Sequence, residues 1–248
     1  LTWTSLNADS VSIDPELGIV ALNGSQIVYP QIPTLYTITA TAAWDVMPTV
    51  AAVFVGVVPR EAAYIPITVN PGIAYCLAVM DLEIPAVTYT IESIGKKPFG
   101  VVPHPSLDYL YVTCLEHTTV EKIDVFTGEV LATIDVTELP RDIEITPDGS
   151  TVYASLLDGD SIADVAVIDT ASDTLITTIN VPNNAKALAM SPDGSILYVS
   201  SVYPLGAADE NYYISMVDTL TNTIVDTIIT SPYKPFDLAI SPDGSRVY

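Results

Sequence analysis

The chain has few basic residues. Lysine and arginine total 8 of the 248 residues against 30 aspartates and glutamates, which gives a formal net charge of −22. Because nucleic-acid affinity comes largely from lysines and arginines that replace counterions, this balance argues against a nucleic-acid partner. No apolar run approaches the length of about eighteen residues that a membrane-spanning helix needs. We therefore expect neither nucleic-acid binding nor a transmembrane segment.

Histidine and cysteine are also scarce, at two residues each. Two histidines leave little material for a Ser-His-Asp triad or for haem ligation. The two cysteines, Cys76 and Cys114, do not fix the cellular compartment. A disulfide between them and two buried thiols both stay open.

A phrase that contains Pro-Asp-Gly occurs three times. It reads TPDGSTVYAS from Thr146, SPDGSILYVS from Ser191 and SPDGSRVY from Ser241, at spacings of 45 and 50 residues. A worn copy, VPHPSLDYLYVTC, aligns its Tyr111 with Tyr153. A second phrase, such as VAVIDTASDTLITTINV, recurs between these copies with the same period. Repetition at a fixed period of this length is typical of repeat architectures.

Each period contains short runs of Val, Ile, Thr and Tyr between turn residues, which predicts about four strands per repeat. In one repeat the predicted strands are 141–146, 151–156, 163–169 and 174–181, and a Pro147-Asp148-Gly149 turn joins the first two. A lone four-stranded sheet leaves two apolar faces in water, and repeated sheets cover them by packing around an axis. We therefore predict an all-β fold, a β-propeller, with an open solenoid or a two-sheet sandwich as alternatives.

The period divides the chain into five complete four-stranded antiparallel blades and part of another. The predicted bounds are 10–42, 50–93, 99–136, 141–181, 187–229 and, for the partial blade, 235–248. We expect residues 1–248 to form a single propeller domain that is incomplete at both ends. The opening LTWTSL is typical of a last strand, and the chain stops after two strands of a blade.

These phrases resemble the YVTN β-propeller repeat family. The matching residues are Lys97-Pro98-Phe99-Gly100, Tyr111-Val112-Thr113, Val167-Ile168-Asp169-Thr170 and Ser191-Pro192-Asp193-Gly194, and the resemblance is specific over Ile94–Tyr248. The sequence is similar to propeller modules of archaeal surface-layer and other cell-envelope proteins. The resemblance implies an extracellular, cell-surface or periplasmic module with seven blades in the full ring.

The basic residues are concentrated where one blade leads into the next. Five of the eight lie in these connections: Lys96, Lys97, Arg141, Lys186 and Lys234. In a propeller such connections surround one mouth of the central channel. We predict that Lys97, Arg141, Lys186 and Lys234 form an anion-binding or partner-binding site at this mouth. The alternative is that each cation only pairs with a nearby acid such as Asp142 or Asp237.

Most repeated acidic and aromatic residues have a structural interpretation. Asp124, Asp169 and Asp218 each end a strand before a tight turn, where a carboxylate accepts backbone N–H bonds. We give the same role to the acids of the Pro-Asp-Gly turns, Asp148, Asp193 and Asp243. The tyrosines that recur at one strand position are predicted to pack between blades; they are Tyr153, Tyr198 and Tyr248.

Metal binding has two sets of candidate ligands. His104 and His117 are predicted about 20 Å apart at about 3.3 Å per strand residue, so these histidines are not expected to share an ion. Asp158, Asp160 and Asp164 lie at or near alternate positions, which suits calcium, although the full spacing of a calcium loop is missing. Solvated acidic loops are the alternative, and no other cofactor is expected.

The function that follows is a noncatalytic extracytoplasmic propeller. We expect it to be a structural or protein-binding module whose partners are other cell-envelope proteins or copies of itself. The glycosylation triplet Asn23-Gly24-Ser25 counts slightly toward a cell-surface setting. The alternative is an enzyme, either a lactonase-like hydrolase or the propeller subunit of a periplasmic oxidoreductase.

Overall fold

The structure is a computed structural model that describes residues 2–4, 9–14, 17–25, 34–41, 49–55, 62–69, 74–81, 86–91, 97–157, 164–182, 184–202 and 211–248. The chain divides into two compact units, Leu1–Pro59 and Arg60–Tyr248. The described residues form strands and turns and contain no helix, and therefore none that could cross a membrane. The prediction of one domain over residues 1–248 stays a prediction.

The first unit contains a four-stranded antiparallel sheet with the order β3-β2-β5-β6, and a separate pair formed by β1 and β4. Its strands are β1 (Thr2–Thr4), β2 (Ser10–Asp14), β3 (Gly18–Val20), β4 (Asn23–Ser25), β5 (Thr34–Thr41) and β6 (Thr49–Val55). Val11 and Ile13 alternate with more exposed residues on β2 and are buried, as expected for a strand with one covered face.

The pairing of β6 differs from the predicted division at residues 42 and 50. Thr49–Val55 pairs along its length with β5 of the first sheet, whereas the predicted blade bounds assigned it to the next sheet. Alternating residues identify a strand but do not say which neighbour it pairs with. The boundary between these two sheets therefore lies after β6.

The second unit begins with a three-stranded antiparallel sheet of β7 (Ala62–Val69), β8 (Ala74–Asp81) and β9 (Ala86–Ile91). Three four-stranded sheets follow. Sheet I contains β10 (Pro98–Pro103), β11 (Tyr109–Cys114), β12 (Thr119–Asp124) and β13 (Val130–Asp135). Sheet II contains β14 (Leu139–Ile145), β15 (Thr151–Leu157), β16 (Asp164–Asp169) and β17 (Thr174–Asn180). Sheet III contains β18 (Asn184–Met190), β19 (Ile196–Val202), β20 (Tyr213–Asp218) and β21 (Thr223–Ile229).

Each of these sheets is an antiparallel meander in chain order. The first strands β10, β14 and β18 contact one another more closely than the last strands do, so the first strand is the innermost of each sheet. Apolar side chains fill the space between neighbouring sheets. One buried cluster joins sheets I and II and a second joins sheets II and III; they include Tyr111, Val120, Ile143, Val152 and Leu156, and Tyr153, Val165, Leu188, Leu197 and Val217.

The two ends of these sheets differ. We call the end where β10, β14 and β18 begin the start end, and the opposite end, which carries the Pro-Asp-Gly turns, the turn end. At the turn end Gly149 has φ +76° and packs so closely on His104 that a Cβ atom there would overlap the imidazole. The Gly149 carbonyl also accepts a bond from Thr170 Oγ1 at 2.7 Å. Gly194 repeats this geometry against Pro147 and Thr219.

Tyrosines of the second strands join one sheet to the next. The Tyr111 hydroxyl donates to Asp173 at 3.1 Å, and the Tyr153 hydroxyl donates to the side-chain oxygen of Asn222 at 2.8 Å. Tyr153 is fully buried, as predicted for a residue between blades. Tyr198 is only half-buried and Tyr248 is 68% exposed, so the repeated position does not give the same burial in every sheet.

Candidate functional site

The site lies at the start end, where each inner strand contains a β-bulge. The register with the second strand shifts between Pro98 and Val101, between Pro140 and Ile143, and between Ala185 and Leu188. A bulge adds a residue to one strand and changes the direction of its side chains. The first bulge residues are Phe99, Arg141 and Lys186, and Phe236 holds the aligned position after sheet III.

A buried hydroxyl stabilises each bulge. The amides of Gly100, Asp142 and Ala187 donate to the hydroxyls of Thr113, Ser155 and Ser200, at 2.8, 3.0 and 3.0 Å. These are the residues after the YV, YA and YV pairs of the repeat.

Two of these hydroxyls also bond to the next sheet. Thr113 Oγ1 donates to the Arg141 carbonyl at 2.6 Å and Ser155 Oγ to the Lys186 carbonyl at 3.4 Å. The backbone that carries each of these two cations is therefore held by the preceding sheet.

Aromatic rings lie against three of the cations. The Arg141 guanidinium carbon is 4.9 Å from the centroid of the Phe99 ring. Lys186 Nζ lies 5.3 Å from the centroid of Phe236, and Lys234 Nζ lies 5.3 Å from that of Tyr212. Such cation–π contacts are worth about 0.5–2 kcal/mol each and hold the charged groups in place.

Two of the four predicted cations, Arg141 and Lys234, act on a third, Lys186. Burial lowers the pKa of Lys186, and the charges of Arg141 and Lys234 lower it further. We call Arg141, Lys186 and Lys234 the basic cluster. None of them lies within ion-pair distance of a carboxylate in the described part of the chain, where Lys122 and Asp173 do form such a pair at 3.0 Å.

The acids expected to neutralise these cations bond elsewhere. Asp142 Oδ2 accepts the Leu188 amide of the next sheet at 2.7 Å, and its Oδ1 accepts the Ile143 amide at 3.0 Å. Burial raises the pKa of Asp142, and the positive charge of Arg141 offsets only part of this increase. Asp237 Oδ1 accepts the Leu238 amide at 2.9 Å. Simple local pairing therefore does not account for the basic cluster.

Lys97 differs from these three cations. Its backbone has φ 59°, its carbonyl accepts the Leu115 amide at 3.0 Å, and its side chain is exposed. Among the described residues no contact joins the Lys97 side chain to the basic cluster. Arg141 and Lys234 thus both lie within electrostatic range of Lys186, and the assignment of Lys97, Arg141, Lys186 and Lys234 to an anion-binding or partner-binding site stays a prediction.

The aromatic partners were not predicted from the sequence. Phe99 and Phe236 occupy equivalent places in the KPFG and KPFD segments, so the alignment of repeats contained this signal. Tyr212 belongs to no repeated motif, and only the folded chain places it beside Lys234.

The calcium prediction is not tested by the described residues. Asp158 and Asp160 lie outside them. Asp164 begins β16, and its buried Oδ1 has no hydrogen-bond partner among the residues that the structure describes. No group of three histidine, cysteine or acidic residues within the described ranges could hold a metal ion.

The two histidines lie at opposite ends of sheet I, as their predicted strand positions imply. His104 follows β10 at the turn end, and His117 follows β11 at the start end. Cys114 is buried in β11, and the Cys76 side chain lies outside the described residues, so pairing of the cysteines stays a prediction.

The acids that end the third strands make turn contacts. Asp124 accepts the amides of Phe126 and Thr127, and Asp169 accepts those of Ala171 and Ser172. Hydrogen bonds to Ser172 lower the pKa of Asp169. Asp218 bonds Thr221 in the same way, which also lowers its pKa. These contacts support the structural interpretation.

The acids of the Pro-Asp-Gly turns are held by hydroxyls. Hydrogen bonds from Ser191 and Ser195 lower the pKa of Asp193 to about 2, and equivalent serines lower that of Asp243 to about 2. Thr146 and Ser150 lower the pKa of Asp148. These turn carboxylates are engaged in local structure.

Meanders that pack along their first strands define a β-propeller. No protein-family model and no curated protein matches the chain. Solved structures do match. Hydrazine synthase from Kuenenia stuttgartiensis is 23% identical with a TM-score of 0.62, over 69% of this chain and 48% of that chain. The Cps50 (Swd1) β-propeller domain from Myceliophteria thermophila is 14% identical with a TM-score of 0.55, over 76% and 62%.

These likenesses agree with the fold derived above. The prediction of an all-β propeller with four-stranded antiparallel blades is confirmed. The chain spans less than two thirds of either matched chain. At such identities the similarity concerns the fold alone, because one fold hosts many functions.

Proposed function

We propose that this protein is a noncatalytic propeller module that binds an anionic group, such as the carboxylates of a partner, at the basic cluster. One observation carries the proposal. Arg141 and Lys234 both lie close enough to Lys186 for their charges to repel its ammonium group, and no described carboxylate pairs with these three cations although the chain has a net charge of −22.

The physical argument concerns the cost of like charges held together. Partial burial raises the free energy of charging Lys186, and the positive charges of Arg141 and Lys234 add to that cost. A bound carboxylate or phosphate relieves both effects and accepts charge-assisted hydrogen bonds. Arginine binds either group with two parallel N–H donors. The cluster is therefore suited to an anion supplied from outside the chain.

The cellular setting is part of the same proposal. The resemblance to YVTN repeats and the triplet Asn23-Gly24-Ser25 support a place at the cell surface or in the periplasm. Other cell-envelope proteins, or further copies of the chain, are the proposed partners. The enzyme alternative rests on fold likeness alone, since the hydrazine synthase match is only 23% identical.

Titration calorimetry with inorganic tripolyphosphate tests the proposal. The variant with Arg141→Gln, Lys186→Gln and Lys234→Gln should lose about tenfold or more in affinity, because each substitution removes a charge contact. Its thermal midpoint should change little, because relief of the charge repulsion on Lys186 offsets the loss of the three cation–π contacts. Lys97→Gln should weaken binding less than any single change within the cluster.

Arg246→Gln is the matched control. Arg246 is exposed and lies beside a Pro-Asp-Gly turn, at the opposite end of its repeat from the cluster positions. This variant removes one positive charge and should bind tripolyphosphate like the unchanged protein. Equal affinity of the triple variant and the Arg246→Gln control would refute the proposal.

A further inference from the structure

The equivalent bulge positions carry an ordered set of side chains. Successive repeats place Phe99, Arg141, Lys186 and Phe236 there, so two cations lie between two phenylalanines. The contacts of Arg141 with Phe99 and of Lys186 with Phe236 follow this order.

The rings of Phe99 and Phe236 are more exposed to solvent than contact with a cation requires. Tyr212 holds Lys234 while only 4% exposed. In contrast, Phe99 is 45% exposed and Phe236 is 64% exposed. We call Phe99 and Phe236 the aromatic rim. Its surface is apolar and lies beside cations without described carboxylate partners.

The chemistry of an occupant follows from this combination. A free phosphate would use the cations and leave the exposed rings in water. A long polyanion would meet the negative charge of the rest of the molecule. A short peptide with both carboxylates and apolar side chains satisfies the cations and covers the rings. Aromatic residues and arginine are also the types enriched at the centres of protein interfaces.

We infer that the basic cluster and the aromatic rim together bind a short acidic segment of another protein. Its carboxylates contact Arg141, Lys186 and Lys234, while its apolar side chains pack on Phe99 and Phe236. This inference rests on the proposed function, because it names the partner that the same site recognises.

Two matched peptides test the inference. One alternates glutamate with phenylalanine, and the other has serine in place of each phenylalanine. The protein should bind the first about tenfold more tightly, since burial of one or two aromatic side chains is worth that factor. Phe99→Ser together with Phe236→Ser should reduce this preference severalfold. Leu220→Ser, which alters an exposed apolar residue at the turn end, should leave the preference unchanged.

The outcomes separate the inference from the proposed function. Equal affinity for both peptides, with tripolyphosphate still bound, would overturn the inference and leave the anion site standing. No binding of tripolyphosphate would overturn both. Tighter binding of a uronic-acid oligosaccharide than of the phenylalanine peptide would also overturn the inference. So would a dimer, seen in sedimentation, that the triple charge variant dissociates, because a second copy would then occupy the site.

Discussion

At the scale of the residue, small polar side chains determine where the charges lie. Ser155 is fully buried, and its single hydroxyl accepts the Asp142 amide and donates to the Lys186 carbonyl. Thr113, Ser155 and Ser200 occupy the same position of the repeat. The hydroxyl at this position thus orders the bulge backbone of the inner strand.

Glu144 provides a prediction that depends on pH. It lies on the inner strand β14, and burial, with a smaller effect of the Asp142 charge, raises its pKa to about 7. The folded state therefore binds this proton more tightly than the unfolded state does. The contribution of Glu144 to the free energy of unfolding falls as pH rises from about 4.5 to about 7, and the full cost applies above that range.

Glu144→Gln removes this cost. The variant should be more stable than the unchanged protein by about 1–3 kcal/mol at a pH of about 8, and the difference should shrink toward a pH of about 5. Urea denaturation at a series of pH values measures both effects. Glu129→Gln changes an exposed glutamate in a turn and serves as the control. A gain that is the same at every pH would contradict the proposed titration.

At the scale of the element, the sheets with recognisable repeat phrases are those whose bounds the sequence predicted well. Sheets I to III begin and end within three residues of the predicted 99–136, 141–181 and 187–229. Turns with Pro-Asp-Gly and Asp-Thr mark strand ends in sheets II and III, and a worn copy of the same phrase marks sheet I. The sequence of the first sheet lacks these turn motifs. Its strand β6 was assigned to the wrong neighbour, since strand pairing depends on long-range contacts that an alternating pattern does not specify.

The link between sheets II and III gives a prediction at this scale. Ser155→Ala removes both hydrogen bonds of the buried hydroxyl and leaves the Asp142 amide without its partner. We expect a loss of about 1–3 kcal/mol in the free energy of unfolding, measured in urea. Thr177→Ala on the exposed face of β17 should cost less than about 0.5 kcal/mol. Indistinguishable values for the two variants would show that the hydroxyl does not support the bulge.

At the scale of the whole molecule, net charge and local charge have opposite signs. The total of −22 disfavours any extended polyanion, whereas the site proposed at the basic cluster would attract a small anion at short range. Salt screens the long-range repulsion more than the contacts within the cluster. Under the proposed function, selection for small or short acidic ligands would therefore be a property of the molecule as a whole.

The difference between net charge and local charge predicts that the protein does not bind nucleic acid. A duplex oligonucleotide should show no mobility shift with the protein at an ionic strength of about 0.05 M, where phosphate contacts are strongest. Tripolyphosphate binding under the same buffer conditions is the positive control. A shift that weakens steeply with added salt would show that the local cluster overcomes the total charge.

The sequence by itself determined the strand content, the repeat period and the tight turns of this protein, because these depend on residues close together in the chain. It also placed the cations at the starts of the inner strands. Only the tertiary structure decided which aromatic rings contact these cations. It also decided that Asp142 forms a hydrogen bond with a neighbouring sheet instead of an ion pair with a cation. Those outcomes depend on bulges and packing between sheets, where residues about 45 positions apart come into contact.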